Sequence, residues 1–518
     1  MKNRQIDAAW IYHNGTKHSY QSIRANPHYL DFDNQPVPFK IYTELEPIEL
    51  PAHLSSSGTP SLSAISAVAA RRDRQASPSK QTLAEILFLC AGITRRRKYP
   101  GGEMLFRAAA CTGALYHIDL YLVCAELQDI PAGVYHFSPH DFALRRLRQG
   151  DFRGVLTRAS AAEPSVVEAP AILLCASTFW RNAWKYQARA YRHCYWDNGT
   201  VLANLLAAAA ARALAAKVVL GFVDGAISEL LGLDPKREAS LSLVALGCGA
   251  PQPGLSSMPL EPLVLQTDPL SKTEVDYPAM RAMHEASSLE NEDEVIEWRA
   301  ASDSHSVEKD DRSANGGRRV FLQTASDDDV PSETIEEVIV RRGSTRRFAR
   351  ESITFGQLSM LLDRATRGIF ADILNEGDTL NQLYLIVHAV DDLAPGAYVY
   401  RRDLHALELL KEGDFRRQAG DLGLGQDIPA DCSVNVYFLA DLNRVLDRFG
   451  NRGYRAAQLE ASISGGKLYL AAYAQGLGAS GLTFFDDDVT EFFSPHAAGK
   501  SVMFLIALGK SVKRTSQR

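Results

Sequence analysis

The pattern of apolar and polar positions along the chain predicts a mixture of buried helices and strands. Continuous or periodic apolar positions predict a buried helix over residues 83–89 and a second helix over 335–339 that ends in a basic turn. The apolar stretch within residues 115–124 predicts a buried strand. The longest apolar run, residues 201–222, is rich in alanine and contains three polar or charged residues. We therefore expect a buried helix there and not a membrane span.

This pattern occurs twice along the chain at a constant offset. Four segments recur 263 positions later: residues 120–123 as 383–386, 133–135 as 396–398, 150–153 as 413–416 and 191–192 as 454–455. A constant offset held over about seventy residues indicates a duplicated domain.

The duplication divides the chain into segments with different expected roles. We predict an irregular N-terminal arm over residues 1–60, a first domain over 61–265, a polar linker over 266–334 and a second domain over 335–518. Each domain combines helices and strands without strict alternation, which is typical of an α+β fold with a mixed or antiparallel sheet flanked by helices.

Composition limits the class of protein further. The 518 residues are enough for two domains, and 46% apolar with 23% charged residues is typical of a globular protein. A net charge of −6 gives no reason to expect nucleic acid or a membrane as a partner. Seven cysteines without a Cys-x-x-Cys pair argue against a disulfide framework and a metal site. With no apolar signal segment at the N-terminus, we expect the protein in the reducing cytoplasm.

The basic turn after the second predicted helix carries the first candidate chemistry. Residues 341–348 read Arg-Arg-Gly-Ser-Thr-Arg-Arg-Phe, so Arg342, Ser344 and Arg346 alternate and can point the same way. Two guanidinium groups and a hydroxyl suit a phosphate monoester, because all three donate hydrogen bonds and two are charged. A solvated basic turn is the simpler alternative. We call Arg342, Ser344 and Arg346 the cradle.

The Arg-x-Ser-x-Arg-x-Phe pattern resembles the FMN-phosphate motif of the nitroreductase-like flavoprotein superfamily. The whole chain, including Tyr-His-x-x-Thr-Lys-His at residues 12–18, is similar to tandem members of the SagB-type dehydrogenases. The resemblance implies that two nitroreductase-like domains form a tight dimer around long central helices. FMN would lie at the interface, with its phosphate on one domain and its ring beside the other. In a fused duplication the two halves would form this pseudo-dimer within one chain, and a further homodimer remains open.

Each half retains a different part of the FMN site that the resemblance implies. The second half has the cradle, whereas residues 71–75 of the first half lack the serine and place a carboxylate where the phosphate would lie. The first half has an altered form of the family's ring-contacting motif at Cys111, Thr112 and Gly113, which we call the ring wall. Its second-half counterpart, around residues 374–378, is acidic and barely recognisable. We therefore expect one FMN site per chain, built from both halves.

The resemblance also implies two catalytic residues. Lys185 and Tyr186 correspond to a Lys-Tyr pair that the family places near the substrate face of the flavin. A lysine beside a tyrosine can lower the pKa of the phenol and support proton removal during hydride transfer. The second half has Phe449 at the tyrosine position. An ordinary lysine-aromatic pair on a helix is the alternative.

Further cofactor contacts are implied only by the resemblance. Glycine after the second long helix would allow backbone amides to approach the flavin ring. The residues concerned are Gly478, Ser480 and Gly481 near the ring, Tyr398 and Tyr400 near the ring and ribityl chain, and Lys510 near the phosphate. Cys111 is either a reactive thiol beside the flavin or a small buried cysteine.

These features imply an FMN-dependent oxidoreductase. The resemblance favours a SagB-type dehydrogenase that removes two electrons from a modified peptide or a small heterocyclic natural product, with oxygen reoxidising the flavin. Two alternatives remain open: an NAD(P)H-dependent reductase of nitro, quinone or ene compounds, and a non-catalytic pseudo-dimer that binds flavin or a peptide. The substrate does not follow from the sequence, because loops without a recognisable code shape the pocket.

Overall fold

Two similar halves make up the part of the chain that the structure describes. The computed structural model describes residues 1–68, 76–99, 102–250, 260–303, 317–323, 330–375 and 377–512. Each half is built on a seven-stranded sheet flanked by helices. The prediction of an α+β fold with two related domains is therefore confirmed.

The helices and strands of the first half extend to residue 246. They are α1 (Asp7–Gly15), α2 (Tyr20–Ala25), β1 (Pro47–Glu49), α3 (Ser61–Ser66), α4 (Lys80–Ala91), β2 (Ile93–Tyr99), β3 (Gly102–Arg107), β4 (Ile118–Cys124), β5 (Gly133–Ser138), β6 (Ala143–Gln149), α5 (Arg153–Ala159), α6 (Pro164–Glu168), β7 (Ala171–Thr178), α7 (Phe179–Tyr186), α8 (Ala190–Ala211), β8 (Ala216–Val219), α9 (Asp224–Leu231) and β9 (Glu238–Leu246).

The second half follows the same order after two connecting helices. Its elements are α10 (Pro278–Ala286), α11 (Glu292–Asp303), β10 (Arg319–Phe321), α12 (Ile335–Arg341), α13 (Phe355–Ala365), β11 (Gln382–Val387), β12 (Gly396–Arg401), β13 (Ala406–Glu412), α14 (Arg416–Leu422), α15 (Asp427–Asp431), β14 (Val434–Ala440), α16 (Leu442–Phe449), α17 (Asn451–Ala474), β15 (Gly478–Gly481), α18 (Asp486–Phe493) and β16 (Ser501–Gly509).

The two large sheets have the same topology. Their strand orders are β1-β6-β5-β4-β7-β9-β8 and β10-β13-β12-β11-β14-β16-β15. Neighbouring strands within each sheet run antiparallel. The strands β4 and β11 are buried along almost their whole length, which explains why their sequences are continuously apolar. The predicted helices over residues 83–89 and 335–339 are confirmed as α4 and α12.

The long helices α8 and α17 cross at the centre of the molecule. A Cβ atom added to Gly199 on α8 would lie 1.9 Å from the Ser462 hydroxyl on α17, so the crossing requires glycine at this position. The same hydroxyl donates a hydrogen bond to the Tyr195 carbonyl oxygen at 2.8 Å. The two central helices therefore join the halves by packing with their backbones in close contact.

Equivalent residues of the two halves contact each other beside α3 and α12. Pro60 and Thr334 form an antiparallel bridge. On either side of it, Ser61 N–H donates to the Glu333 carbonyl at 3.0 Å and Ile335 N–H donates to the Thr59 carbonyl at 3.3 Å. Contacts that are reciprocal in this way define a twofold axis, here a pseudo-twofold axis within one chain.

Two buried ion clusters repeat the same symmetry across the halves. Arg189 and Arg192 of the first half bind Asp486 of the second at 3.0 and 2.6 Å. In reverse, two arginines of the second half bind Asp224 of the first at 2.6 Å each, namely Arg452 and Arg455. All six side chains are almost completely buried. Since a buried charge without its partner is costly, these clusters fix how the halves dock.

The apolar run over residues 201–222 differs from the prediction. It is not one helix, because α8 ends at Ala211 and β8 begins at Ala216. Three of the four residues of β8 are apolar because the strand lies against β9 in the sheet, and the fourth, Lys217, pairs with Glu163 at 2.8 Å. Hydrophobicity alone therefore predicted the burial and not the change of secondary structure.

The predicted arm and linker also carry more structure than expected. Helix α1 of the arm buries Tyr12 and His13, and helices α10 and α11 of the linker bury Met280 and Trp298. The edge strands β1 and β10 come from these two segments. The expectation of an irregular arm and an exposed connector was wrong for these parts, because short amphipathic elements have a polar average composition.

Two further findings concern the chain as a whole. Among the described residues, no helix combines the length and apolar character that crossing a membrane requires. None of the seven cysteines forms a disulfide.

Candidate active site

The cradle lies where the second half meets the first. Helix α12 ends at Arg341, and the next side chain, Arg342, extends across the interface. Its Nε donates to the Ala108 carbonyl at 3.0 Å, and its Nη2 donates to the carbonyls of Ala108 and Arg107 at 2.8 and 3.0 Å. The cradle of the second half is thereby bonded to the segment that precedes the ring wall of the first half.

Tyr469 on α17 connects the parts of the cradle. Its hydroxyl lies 3.1 Å from the Ser344 hydroxyl and accepts a hydrogen bond from Gly481 N–H at 2.7 Å. The guanidinium of Arg342 lies over the Tyr469 ring, 5.8 Å from the centroid. Tyr469 could not be predicted from the sequence, because an aromatic residue within a buried helix carries no visible functional signal.

Strand β15 supports the cradle from behind. Thr345 N–H donates to the Ala479 carbonyl at 2.8 Å. A Cβ atom added to Gly478 would lie 2.2 Å from the Thr345 hydroxyl oxygen, and the Ser480 side chain is buried. Gly478 is therefore required by its close contact with Thr345 of the cradle turn, and its approach to a flavin ring stays a prediction.

A third arginine approaches the cradle from the hairpin β2–β3 of the first half. A Cβ atom added to Gly343 would lie 4.0 Å from Arg95 Nη2, so the guanidinium borders the cradle turn. Burial lowers the pKa of Arg342, and the charge of Arg95 contributes to the same shift. Arg95, which stacks on Phe106 at 4.3 Å, was also missed from the sequence.

The ring wall is held by one buried carboxylate on α8. Asp197 accepts hydrogen bonds from Thr112 N–H at 2.9 Å, from the Thr112 hydroxyl at 2.7 Å and from the Cys111 thiol at 3.0 Å. His117 Nε2 lies 2.8 Å from the same carboxylate. Burial and the neighbouring Asp197 raise the pKa of Cys111 far above its usual value. Cys111 is therefore a protonated thiol that holds the loop. This state favours a structural cysteine over a reactive thiol beside the flavin.

Gly113 is the residue of the ring wall that approaches Tyr186. Its φ of 63° lies in the left-handed region, and an added Cβ atom would lie 3.0 Å from the Tyr186 hydroxyl. Glycine thus satisfies both the backbone conformation and the close approach. The structure brings the predicted ring wall and the predicted catalytic tyrosine into direct contact.

Lys185 and Tyr186 end helix α7 and lie within electrostatic range of the cradle. The charge of Arg346 acts on both residues across the interface, so three predicted site residues from the two halves lie within electrostatic range of one another. Burial and then Arg346 lower the pKa of Lys185, whose Nζ lies 5.4 Å from the Tyr186 ring centroid. Burial raises the pKa of Tyr186, as do Asp197 and Cys111, while Arg346 opposes the shift.

The direction of the Tyr186 shift is opposite to the one expected from the adjacent lysine. Desolvation disfavours the phenolate and outweighs the neighbouring cations. At neutral pH the Tyr186 phenol is therefore protonated, and burial together with Arg346 destabilises the charged form of Lys185.

A chain of hydrogen bonds fixes the position of Tyr186 relative to the wall. Its ring packs edge-on against His193 with centroids 4.4 Å apart. His193 Nδ1 lies 2.8 Å from the Asn182 side-chain oxygen, and Asn182 Nδ2 donates to the Thr112 hydroxyl at 2.8 Å. Since burial lowers the pKa of His193 far below its usual value, this imidazole is neutral.

The remaining predicted cofactor residues have other surroundings. The ammonium of Lys510 is 3.5 Å from Glu351, and both side chains are exposed. Tyr398 is buried in the second sheet and donates to the Ala394 carbonyl at 2.7 Å. Tyr400 lines a different cavity, of about 980 Å³, which also includes Val68. Tyr398 and Tyr400 therefore do not lie at the ring wall, whereas Lys510, whose carbonyl accepts from Ala349 N–H at 2.9 Å, stays a predicted phosphate ligand.

The position related by the pseudo-twofold axis lacks these groups. Pro60 and Thr334 are equivalent residues of the two halves and lie 274 positions apart. The same offset makes Val68 the equivalent of Arg342. Strand β8, the counterpart of β15, pairs with residues 370–372, as Val218 N–H donates to the Phe370 carbonyl at 3.0 Å. The predicted first-half counterpart of the cradle, residues 71–75, lies outside the described residues.

The counterpart of the ring wall is shifted relative to the prediction. Glu460 lies 263 positions after Asp197 and accepts from the Thr379 hydroxyl at 3.0 Å, as Asp197 does from Thr112. The matching loop is thus at Thr379 and not around residues 374–378, because fewer residues separate it from β11 than separate Thr112 from β4. The two carboxylates at the same place in both long helices, Asp197 and Glu460, are the signal in the sequence that could have located this loop.

Comparison with known proteins assigns the family. The Nitroreductase family matches residues 73–248 and again 339–510, so the chain belongs to that family and contains its domain twice. The solved structure of a candidate nitroreductase from Anabaena variabilis aligns over 98% of this chain and 99% of its own, with 25% identity and a TM-score of 0.77.

Two other similarities are partial. A candidate nitroreductase of Methanocaldococcus jannaschii is 26% identical over 165 residues, which are 32% of this chain and 78% of the relative. A chain of the Escherichia coli microcin synthetase complex aligns with 18% identity over 47% of this chain and 94% of its own, with a TM-score of 0.30. A likeness this weak carries no argument about the SagB-type resemblance.

Proposed function

We propose that the protein is an FMN-dependent oxidoreductase with one composite site per chain. The observation that carries this proposal is the meeting of parts from both halves. Arg342 of the second half bonds to the carbonyls just before the ring wall, and the charge of Arg346 acts on Lys185 and Tyr186. The proposed phosphate ligands are thus next to the proposed ring and substrate residues.

The donors at the cradle fit the phosphate of FMN. Arg346 has no ion-pair partner among the described residues, and the Ser344 hydroxyl is exposed. Arg95 brings a further cation to the same turn. Guanidinium groups and a hydroxyl on one exposed surface are the donor set that a dianionic phosphate requires. FMN, when bound, would supply two-electron transfer.

The residues of the chain would bind, orient and move protons. Asp197 fixes the ring wall through Thr112 and Cys111, so that wall and Tyr186 keep a constant separation. Tyr186, protonated at neutral pH, would donate a proton to a substrate atom, and Lys185 would accept one. A pair of one donor and one acceptor serves either direction of a two-electron reaction.

Within this class we propose a dehydrogenase of the SagB type, acting on a modified peptide or a small heterocyclic compound. The motifs in the sequence support this choice. The protonated state of Tyr186 favours the alternative, an NAD(P)H-dependent reductase of nitro, quinone or ene compounds, because reduction consumes a proton. Anaerobic addition of NADPH separates the two: rapid bleaching of the flavin supports the reductase, and no bleaching supports the dehydrogenase.

The composite site is tested by flavin content. We expect about one FMN per purified chain, measured by the ratio of flavin to protein absorbance, and a stoichiometry of two would contradict the single-site proposal. Absence of flavin after reconstitution with FMN would instead support a non-catalytic pseudo-dimer. Ser344→Ala combined with Arg346→Ala should reduce the flavin content, whereas Arg347→Ala in the same turn, with an exposed side chain, is the matched control.

A further inference from the structure

The hairpin β2–β3 is present in the first half and has no equivalent among the described residues of the second. It separates α4 from β4, whereas α13 leads to β11 without an intervening strand in the part that is described. It forms a sheet of its own with two strands. A two-stranded hairpin is only marginally stable by itself. Its presence on an exposed surface of one half therefore indicates that it has a function.

The two faces of this hairpin differ in charge balance. Directly paired residues share a face, and the register pairs Arg95 with Phe106, Arg97 with Met104 and Tyr99 with Gly102. Arg96, Lys98, Glu103 and Leu105 therefore form the opposite face. On that opposite face, Arg96 is paired with Glu103 at 3.3 Å. We call the first set, Arg95, Arg97, Tyr99, Met104 and Phe106, the Arg97 face.

The Arg97 face combines positive charge without compensating acid and exposed apolar surface. It contains no carboxylate, and Arg97 has no ion-pair partner among the described residues. Tyr99 is 52% exposed and Met104 is 47% exposed. Arginine, tyrosine and methionine are the residues enriched in binding interfaces, whereas solvated surfaces favour lysine and glutamate.

The same face is continuous with the candidate active site. Arg95, at the base of the hairpin, borders the cradle turn at Gly343 and acts on Arg342. From Arg95 to Tyr99 the strand extends away from the cradle by about 13 Å, at about 3.3 Å per residue. A ligand on this face would therefore lie on a surface that begins beside the cradle.

We propose that the Arg97 face binds an acidic, amphipathic segment of a peptide substrate. This inference rests on the proposed function and names its substrate class. A peptide with alternating acidic and apolar residues repeats every two residues, as do Arg95, Arg97 and Tyr99 along β2. The outer edges of the hairpin have no strand partner among the described residues, so an extended peptide can also form backbone hydrogen bonds there.

The binding test uses a defined probe and does not require catalysis. The probe is an eight-residue fluorescein-labelled peptide of alternating Glu and Leu, and its binding to the full chain is measured by fluorescence anisotropy. Peptides of alternating Lys and Leu, or Glu and Ser, are the charge and apolar controls. We expect the Glu-Leu peptide to bind best and its affinity to fall with salt, as charge pairing requires.

A pair of adjacent substitutions separates the two faces. Arg97→Glu and Lys98→Glu make the same change in net charge on neighbouring exposed residues that point to opposite sides. We expect Arg97→Glu to weaken binding by about tenfold or more and Lys98→Glu by less than about threefold. Arg97→Gln removes the charge without reversing it and should give an intermediate loss of affinity. This variant separates the effect of charge from a disturbance of the hairpin by glutamate.

Several outcomes would overturn this inference. These are equal losses for the two charge reversals, no binding of the Glu-Leu peptide by the unmodified chain, or tighter binding of anionic lipid vesicles or duplex DNA than of the peptide. Flavin content measured on the same samples keeps the two proposals apart. Peptide binding without any bound flavin would refute the proposed oxidoreductase and support the Arg97 face as a binding surface. Bound flavin without peptide binding would support the oxidoreductase and refute the role of the Arg97 face.

Discussion

The two interface positions related by the pseudo-twofold axis share a fold and differ in almost every group that could act on a flavin. Where the composite site has Arg342 and Tyr469, the related position has Val68 and Leu206. The catalytic candidate Tyr186 corresponds to Phe449. Fusion of the two domains removes the requirement, present in a homodimer, that both sites keep the same residues.

What both positions retain is structural. The buried Asp224 and Asp486 clusters are equivalent, and Asp197 and Glu460 each hold a threonine hydroxyl of the neighbouring loop. The comparison therefore separates residues that maintain the docking of the halves, which are paired, from residues of the site, which occur once.

The largest expected effect concerns the paired residues. Asp224→Ala leaves two buried arginines without their carboxylate, so we expect the free energy of unfolding to fall by about 3–5 kcal/mol. Asp486→Ala should cost a similar amount, since its cluster is the symmetric counterpart. Chemical denaturation checks both. A large effect in one half alone would show that the docking clusters have diverged as the sites have.

The next effect concerns chemistry and should occur in the first half only. Tyr186→Phe keeps the ring that packs on His193 and removes the proton donor, so we expect a loss of turnover of about 10²- to 10⁴-fold with FMN retained. Single-turnover flavin reduction measures this loss. Phe449→Tyr is the matched change at the related position and should alter little. An unchanged rate for Tyr186→Phe would assign the pair a structural role.

A smaller effect is expected at the cradle. Replacing Arg342 and Ser344 together by alanine removes two of the proposed phosphate ligands, so FMN affinity should fall by at least about tenfold. Because Arg342 also binds the carbonyls of Arg107 and Ala108, Ser344→Ala alone is needed to separate phosphate binding from docking. Fluorescence titration with FMN gives both affinities. Full affinity in the double variant would place the site elsewhere.

The smallest effect is a shift in pH dependence. Lys185 is active as a base only when neutral, so activity should rise with pH through its pKa, which burial and Arg346 lower. Arg346→Gln removes a nearby cation and should move the profile to higher pH by less than about one unit. The shift should shrink at high salt, because Arg346 is exposed and screened. A shift to lower pH would contradict the assignment of Lys185 as the base.

Much of the candidate site could be predicted because its residues form local motifs. The alternation in residues 341–348 and the short ring wall each occupy a few consecutive positions, and their asymmetry between halves is visible once the repeat is aligned. Tyr398 and Tyr400 were predicted from the resemblance alone, and the structure places them apart from the wall. Position in a family motif does not by itself fix where a side chain points.

The sequence by itself determined the duplication, the α+β class and the unequal distribution of cradle and ring wall, because periodicity and local motifs do not depend on distant contacts. Only the tertiary structure decided which groups meet across the halves. Asp197, Tyr469 and Arg95 reach the site from distant parts of the chain, so their roles exist only after docking. The sign of the Tyr186 pKa shift was also decided there, because burial in the folded protein outweighs the charge of its neighbour in the sequence.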